Sequence, residues 1–143
     1  DIQVNLAVSL HAPDNVTRSQ TMPVNKRYPI EKLIEACKVY VGKTNRKIFF
    51  EYVLLSGQND TEEHAYKLCG ILTDLLCHVN LIPVNPTAGS TFKRSKQVDV
   101  RKFRQILSSR DIPSTIRMEK GIDINAGCGQ LRSIYLKGSK KNV

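Results

Sequence analysis

The run Lys47-Ile-Phe-Phe-Glu-Tyr-Val-Leu-Leu55 is almost continuously apolar or aromatic, and segments with helical spacing of apolar residues lie on both sides of it. A short run without regular alternation reads as a strand covered on both faces. Such strands belong to parallel sheets with helices packed over them. With helical patterns on both sides of it, this segment points to an α/β architecture, which the order of the remaining elements has to bear out.

The remaining segments repeat the pattern. A first strand is expected from about Gln3 to Leu10, ending where Pro13 and Asp14 mark an exit into a loop. A polar, basic loop with Arg18, Asn25, Lys26 and Arg27 follows. Pro29 then suits the first turn of a helix running to about Val41, with Ile30, Leu33, Ile34, Cys37 and Tyr40 or Val41 on one face. Gly42 fits the position just past its end. After the central strand, 56–60 reads as a turn, and Asp60 with Glu63 suits a capping box. Ala65, Leu68, Cys69, Leu72 and Leu75 or Leu76 have helical spacing, and a strand from Cys77 to Pro83 or Val84 follows. A long polar loop over 85–97 leads to a helix from about Val98 to Arg110, with Val100, Phe103, Ile106 and Leu107 inward. The last strand is expected near Ser114 to Glu119. The resulting β-α-β-α-β-α-β order means parallel strands joined by right-handed crossovers, an α/β sheet or part of an α/β barrel.

Both architectures place function at the carboxyl ends of their strands. Ser9-Leu10-His11 follows the first strand, Gly57, Asn59 and Asp60 the second, and Asn85-Pro86 the third. Beyond the fourth lies Gly121-Ile-Asp-Ile-Asn-Ala-Gly-Cys128-Gly-Gln-Leu131. Gly127 and Gly129 leave the backbone beside Cys128 unrestricted and let bulky groups approach the sulfur. Nucleophile, acceptor of a transferred group, metal ligand and incidental loop cysteine all remain open for Cys128 from the residues alone. Cys37, Cys69 and Cys77 read as small buried hydrophobes in a reducing compartment, and no CxxC pair exists. Of the three histidines, His11 lies on the functional rim, where a base is one option, whereas His64 falls on the exposed part of a helix start and His78, at a strand start, reads as structural.

The chain carries 22 Lys and Arg against 13 Asp and Glu, a net charge of +9. That excess suits a polyanionic partner such as nucleic acid, or simply a solvated basic surface. Lys93, Arg94 and Lys96 around Phe92 are the candidate phosphate contacts. With aromatics at 6% and no tryptophan, single-strand binding by base stacking is disfavoured. No apolar run approaches the ~20 residues of a membrane span. The N-terminus enters an apolar alternating segment directly, so no leader is expected and the sequence reads as starting inside a longer protein.

Five blocks then occur in order: Ser9-Leu10-His11-Ala12-Pro13, Met22-Pro23-Val24-Asn25-Lys26, Glu51-Tyr52-Val53-Leu54-Leu55, Asn80-Leu81-Ile82-Pro83-Val84-Asn85-Pro86, and Asp123-Ile124-Asn125-Ala126-Gly127-Cys128-Gly129-Gln130-Leu131. Together they resemble the C-terminal half of the radical S-adenosylmethionine methyltransferases that act on carbon 2 of an adenine in large-subunit ribosomal RNA. A relative that confers antibiotic resistance by methylating carbon 8 shares several blocks. The resemblance implies that the cysteine matching Cys128 accepts a methyl group from one S-adenosylmethionine. A second is cleaved at a reduced [4Fe–4S] cluster, and the deoxyadenosyl radical removes a hydrogen from that S-methyl group. The carbon radical adds to the adenine, and a second cysteine resolves the adduct by forming a disulfide. Cofactor contacts carry over to Ser9, Leu10, His11 and Asn85.

The chain departs from the family in lacking the CxxxCxxC cluster motif and the glycine-rich cofactor segment. It therefore reads as the last part of a (β/α)6 barrel from about the fourth strand, with 1–136 holding the barrel portion and the methyl-carrier loop and 137–143 a basic tail. Other expectations are a cytoplasmic location without membrane contact, ribosomal RNA as partner with transfer RNA as a further candidate, and no activity for the chain alone. Cut strands should expose edges and an apolar lumen, favouring self-association.

Overall fold

The computed structural model describes residues 5–84 and 93–117, which form a single parallel sheet covered by helices on one face. The strands are β1 (Leu6–Ser9), β2 (Ile48–Leu54), β3 (Cys77–Pro83) and β4 (Ser114–Ile116), hydrogen-bonded in the order β1-β2-β3-β4. Every pair is parallel. The long helices are α2 (Ile30–Thr44), α3 (Glu62–Leu72) and α4 (Gln97–Ser109), one between each pair of successive strands. The architecture is the α/β class expected from the alternation, in the form that part of a (β/α)6 barrel presents.

A single apolar cluster joins the three helices to the sheet. Ile34 and Cys37 of α2, Leu68 and Leu72 of α3, and Phe103 and Leu107 of α4 pack with Ile48, Phe50, Tyr52 and Leu54 of β2 and Val79 and Leu81 of β3. All four inward residues expected of α4 are buried. Tyr52 and Phe103 meet with ring centroids 5.2 Å apart and tilted by 43°, and the Tyr52 hydroxyl donates to the Asn59 carbonyl at 2.7 Å.

Several expectations need correction. The basic loop is mostly helical: α1 (Asn15–Thr21) starts at Asp14, whose carboxylate accepts from the Thr17 N–H at 2.7 Å, and a 3-10 turn spans Pro23–Lys26. Arg18 there is buried, not solvated. Helix α2 runs past Gly42 to Thr44 and ends on Asn45, which takes a left-handed φ of 55° and donates to the Val41 carbonyl. Asparagine tolerates that conformation, so the glycine is not needed to stop the helix. Thr61 and His64 form the capping box of α3, not Asp60 and Glu63. The Asp60 carboxylate is drawn elsewhere, accepting from the Gly57 N–H and the buried Ser95 hydroxyl. Leu75 is buried but lies beyond α3, and Leu76 is exposed.

The sheet face away from the helices also differs from the expected apolar lumen. Register aligns Ser9 with Glu51, Glu51 with Asn80, and Asn80 with Thr115. Side chains alternate along each strand, so these four share the open face and form a polar row across all four strands. An apolar cluster on this side is small: Val53, Leu55 and Val84 with Ile82 against them.

Candidate functional site

The carboxyl ends of the strands bring together the first three residues expected of the site. β1 ends at Ser9, and the chain leaves it through Leu10 and His11, the latter at φ 57°. A left-handed conformation at a non-glycine residue is uncommon and persists only where surrounding bonds hold it. Here they are numerous. The Leu10 N–H donates to the Glu51 carbonyl at 3.0 Å, continuing the ladder by one residue. Beyond that point side chains take over: Arg18 donates from Nε to the Leu10 carbonyl at 3.1 Å and from a terminal nitrogen to the Ser9 carbonyl at 3.2 Å. The Asn59 amide donates to the His11 carbonyl at 2.9 Å and to the Val53 carbonyl at 2.7 Å, while its oxygen accepts from the Leu55 N–H at 2.8 Å. Three successive carbonyls of this strap are thus held by buried side chains.

The His11 ring is fixed just as firmly. The Val53 N–H donates to Nδ1 at 2.9 Å, so Nδ1 must be unprotonated and the ring proton resides on Nε2. Burial, and then the charge of Arg18, push its pKa down to about 4. At neutral pH His11 is a neutral Nε2–H donor, which is inconsistent with the base role left open by its rim position. Leu10 is fully buried with its side chain in the main core, and its backbone N–H and carbonyl are both engaged, by Glu51 and Arg18. Ser9 is half-buried at the end of the polar row. Asn85 and Cys128 lie outside the described residues, as do Phe92 and the 137–143 tail.

The polar row supplies further groups on the same side. Glu51 accepts from the Asn80 amide and from Arg117, both at 3.4 Å. Across the row, the His78 Nε2 and the Thr115 hydroxyl lie 2.7 Å apart, and the His78 ring packs 5.8 Å from Phe49. Glu51 and Asn80 were not recognised as site candidates. Their signal was available: Glu51 is the one polar residue of β2 apart from the Tyr52 hydroxyl, and Asn80 lies among the apolar residues Val79, Leu81 and Ile82 of β3.

Of the basic run, Lys93, Arg94 and Lys96 are exposed, and Ser95 is buried between them. Arg94, Gln97 and Arg101 line a pocket of about 230 Å³ with Pro83 and Ile116, at the ends of β3 and β4. Cys37, Cys69 and Cys77 are buried free thiols on α2, α3 and β3. Burial raises all three pKa values, that of Cys77 to about 11 with Cys37 adding to the effect. As protonated core thiols they do not suit a metal or an iron–sulfur cluster. Among the described residues no group of three His, Cys, Asp or Glu side chains could hold a metal ion. Nor is any described helix long and apolar enough to cross a membrane.

No protein-family model matches the chain. Individual proteins do. It is 50% identical over 137 residues to a probable dual-specificity RNA methyltransferase RlmN of Caldanaerobacter subterraneus, matching 96% of this chain and 40% of that protein. The probable dual-specificity RNA methyltransferase RlmN of Clostridium tetani is 50% identical over 143 residues, matching 100% of this chain and 41% of that protein. Among solved structures, a radical SAM methyltransferase from Sphaerobacter thermophilus superposes with a TM-score of 0.85 at 53% identity, over 90% of this chain and 38% of the other. A domain of pyruvate-formate lyase-activating enzyme from Bacteroides vulgatus shares the fold, with a TM-score of 0.62 at 16% identity, over 78% of this chain and 66% of the other. The chain spans about 40% of the length of the curated relatives it matches. The similarity to radical S-adenosylmethionine RNA methyltransferases carried by the five sequence blocks therefore extends over nearly the whole chain.

Proposed function

We propose that this chain is the C-terminal portion of an RNA methyltransferase that modifies carbon 2 of an adenine in large-subunit ribosomal RNA, with transfer RNA as a second substrate. The observation that carries the proposal is 50% identity to a probable dual-specificity RNA methyltransferase over 96% of the chain. In this reading Cys128 receives a methyl group as its S-methyl derivative and presents it to the base. Its flanking glycines leave room for a bulky donor and for the base to reach one sulfur.

Bound S-adenosylmethionine supplies that methyl group. Ser9, Leu10, His11 and Asn85 would hold it. Of this set His11 offers a fixed neutral N–H donor, and beside it, outside the set, the half-buried carboxylate of Glu51 can accept from hydroxyl or amino groups. A [4Fe–4S] cluster is implied by the same similarity, but neither the buried thiols nor the sequence, which lacks CxxxCxxC, suits one. The cluster would be held by residues outside this chain, in the cytoplasm, and the chain alone would not turn over. Its β1 and β4 edges would favour self-association when it is isolated.

A Cys128→Ala substitution in the whole natural protein tests the reading. Methylation of ribosomal RNA should disappear, as judged by mass spectrometry of RNA digests, and retained turnover would overturn the role of Cys128. The position of the methyl group in the same digests separates carbon 2 from the carbon-8 chemistry of the resistance enzymes. The isolated chain, treated with iron, sulfide, S-adenosylmethionine and a reductant, should yield no deoxyadenosine.

The net charge of +9 favours one further reading, a basic RNA-binding module without catalysis. It predicts salt-sensitive RNA binding that survives loss of Cys128, with log affinity falling linearly with log salt concentration.

A further inference from the structure

Arg18 is only 4% exposed, yet among the described residues no carboxylate lies within ion-pair distance of it. All of its hydrogen bonds go to neutral oxygens: the Ser9 and Leu10 carbonyls, the Asn25 side-chain oxygen at 3.0 Å and the Tyr28 carbonyl at 3.4 Å. Asn25, itself buried, is oriented in turn by donating to the Ser19 hydroxyl at 2.9 Å and the Asn15 carbonyl at 3.2 Å. Burying a cation without a counter-charge is expensive, and an apolar side chain would fill the same space more cheaply. A guanidinium does what an apolar group cannot. Its planar fork fixes the direction of several acceptors at once.

Two of those acceptors belong to adjacent residues of the strap on which the proposed cofactor contacts sit. We propose that Arg18 is a positioning residue: by holding the Ser9 and Leu10 carbonyls it sets the aim of the Ser9-Leu10-His11 strap toward the bound cofactor. This inference rests on the functional reading given above. Asn59 braces the other end of the strap through the His11 carbonyl. The His11 ring is thereby carried to a defined place, with Nδ1 on the Val53 N–H and the opposite nitrogen left as the donor. The charge of Arg18 beside the ring also disfavours its protonation, which keeps that donor neutral.

Arg18→Met keeps length and removes every donor, while Arg18→Lys keeps the charge and loses the fork. Both are made in the whole natural protein, the lysine variant ensuring a folded sample if the methionine variant fails. Amide hydrogen exchange reads the strap without any ligand, and calorimetric titration with S-adenosylmethionine reads its aim. For Arg18→Met, the Leu10 and Val53 amides should exchange roughly tenfold faster or more while core amides of α3 and α4 keep their protection. Affinity for S-adenosylmethionine should fall at least about tenfold, with a smaller loss for Arg18→Lys and little change in kcat at saturating cofactor. Loss of protection throughout the chain in both variants would overturn the proposal, making Arg18 a general support of the fold. Wild-type affinity in either variant despite a loosened strap would overturn it too. A wild-type protein that does not bind S-adenosylmethionine would instead overturn the functional reading, and the inference with it.

Discussion

On the helix-covered face of the sheet, Ile48, Phe50, Tyr52 and Leu54 of β2 are buried in one apolar cluster, whereas on the other face Glu51 lies half-buried in a polar row from Ser9 to Thr115. Phe50 and Glu51 are consecutive residues of one strand, yet they serve different ends. The apolar side supplies the burial that offsets chain entropy. The polar side contributes little to that and instead displays oriented donors and acceptors. At the top of the strands a third arrangement takes over, in which Arg18 and Asn59 fix the backbone of the strap by hydrogen bonds rather than by packing.

The contrast can be broken by substitution. Phe50→Ala, at a fully buried site, should destabilise the chain by about 3–5 kcal/mol in urea denaturation. A loss below about 1 kcal/mol would mean that the helix-covered face is not the main source of stability.

The His11 strap should reveal itself through pH. Burial holds its native pKa at about 4, below the ordinary histidine value of 6.5, so between those values the unfolded chain binds a proton that the native chain does not. Stability therefore rises with pH across this window and is lost as pH falls through it. From pH 7 to pH 5 the loss should be about 2 kcal/mol. Asparagine tolerates a left-handed φ, so comparison with His11→Asn isolates the effect from carboxylates that titrate in both proteins. Parallel pH profiles for the two would show that the ring is not buried neutral.

The smallest effect belongs to the open face. Glu51→Gln should change stability by less than about 0.5 kcal/mol, because its Arg117 partner is 42% exposed and the pair is 3.4 Å apart. A larger cost would show that the polar row holds the fold together and would erase the distinction between the faces.

Much of this was legible beforehand. The alternation of strand and helix, the boundaries of β2 and β3 to within a residue or two, and all four inward residues of α4 follow from apolar spacing alone. The errors arose where spacing is silent. Helix α1 has a single buried residue, the charged Arg18, so it carries no apolar stripe to announce it. Gly42 looked like a helix stop, but Asn45 performs that task three residues later. The strap was located as a rim segment from its place after the first strand. Its fixation was not, because Arg18 and Asn59 reach it from 8 and 48 positions away. The polar row depends on the register of four separate strands, which no single segment encodes.

Strand order in the sheet equals strand order in the chain. A polypeptide emerging from the ribosome can thus add each strand to the one synthesised just before it, with the intervening helix already available to cover the seam. Among the described strands, none has to be held open for a later arrival to insert between two others. Biosynthesis and assembly of these strands can run in the same direction, so that an interrupted chain has its newest strand at one edge of the sheet and β1 at the other.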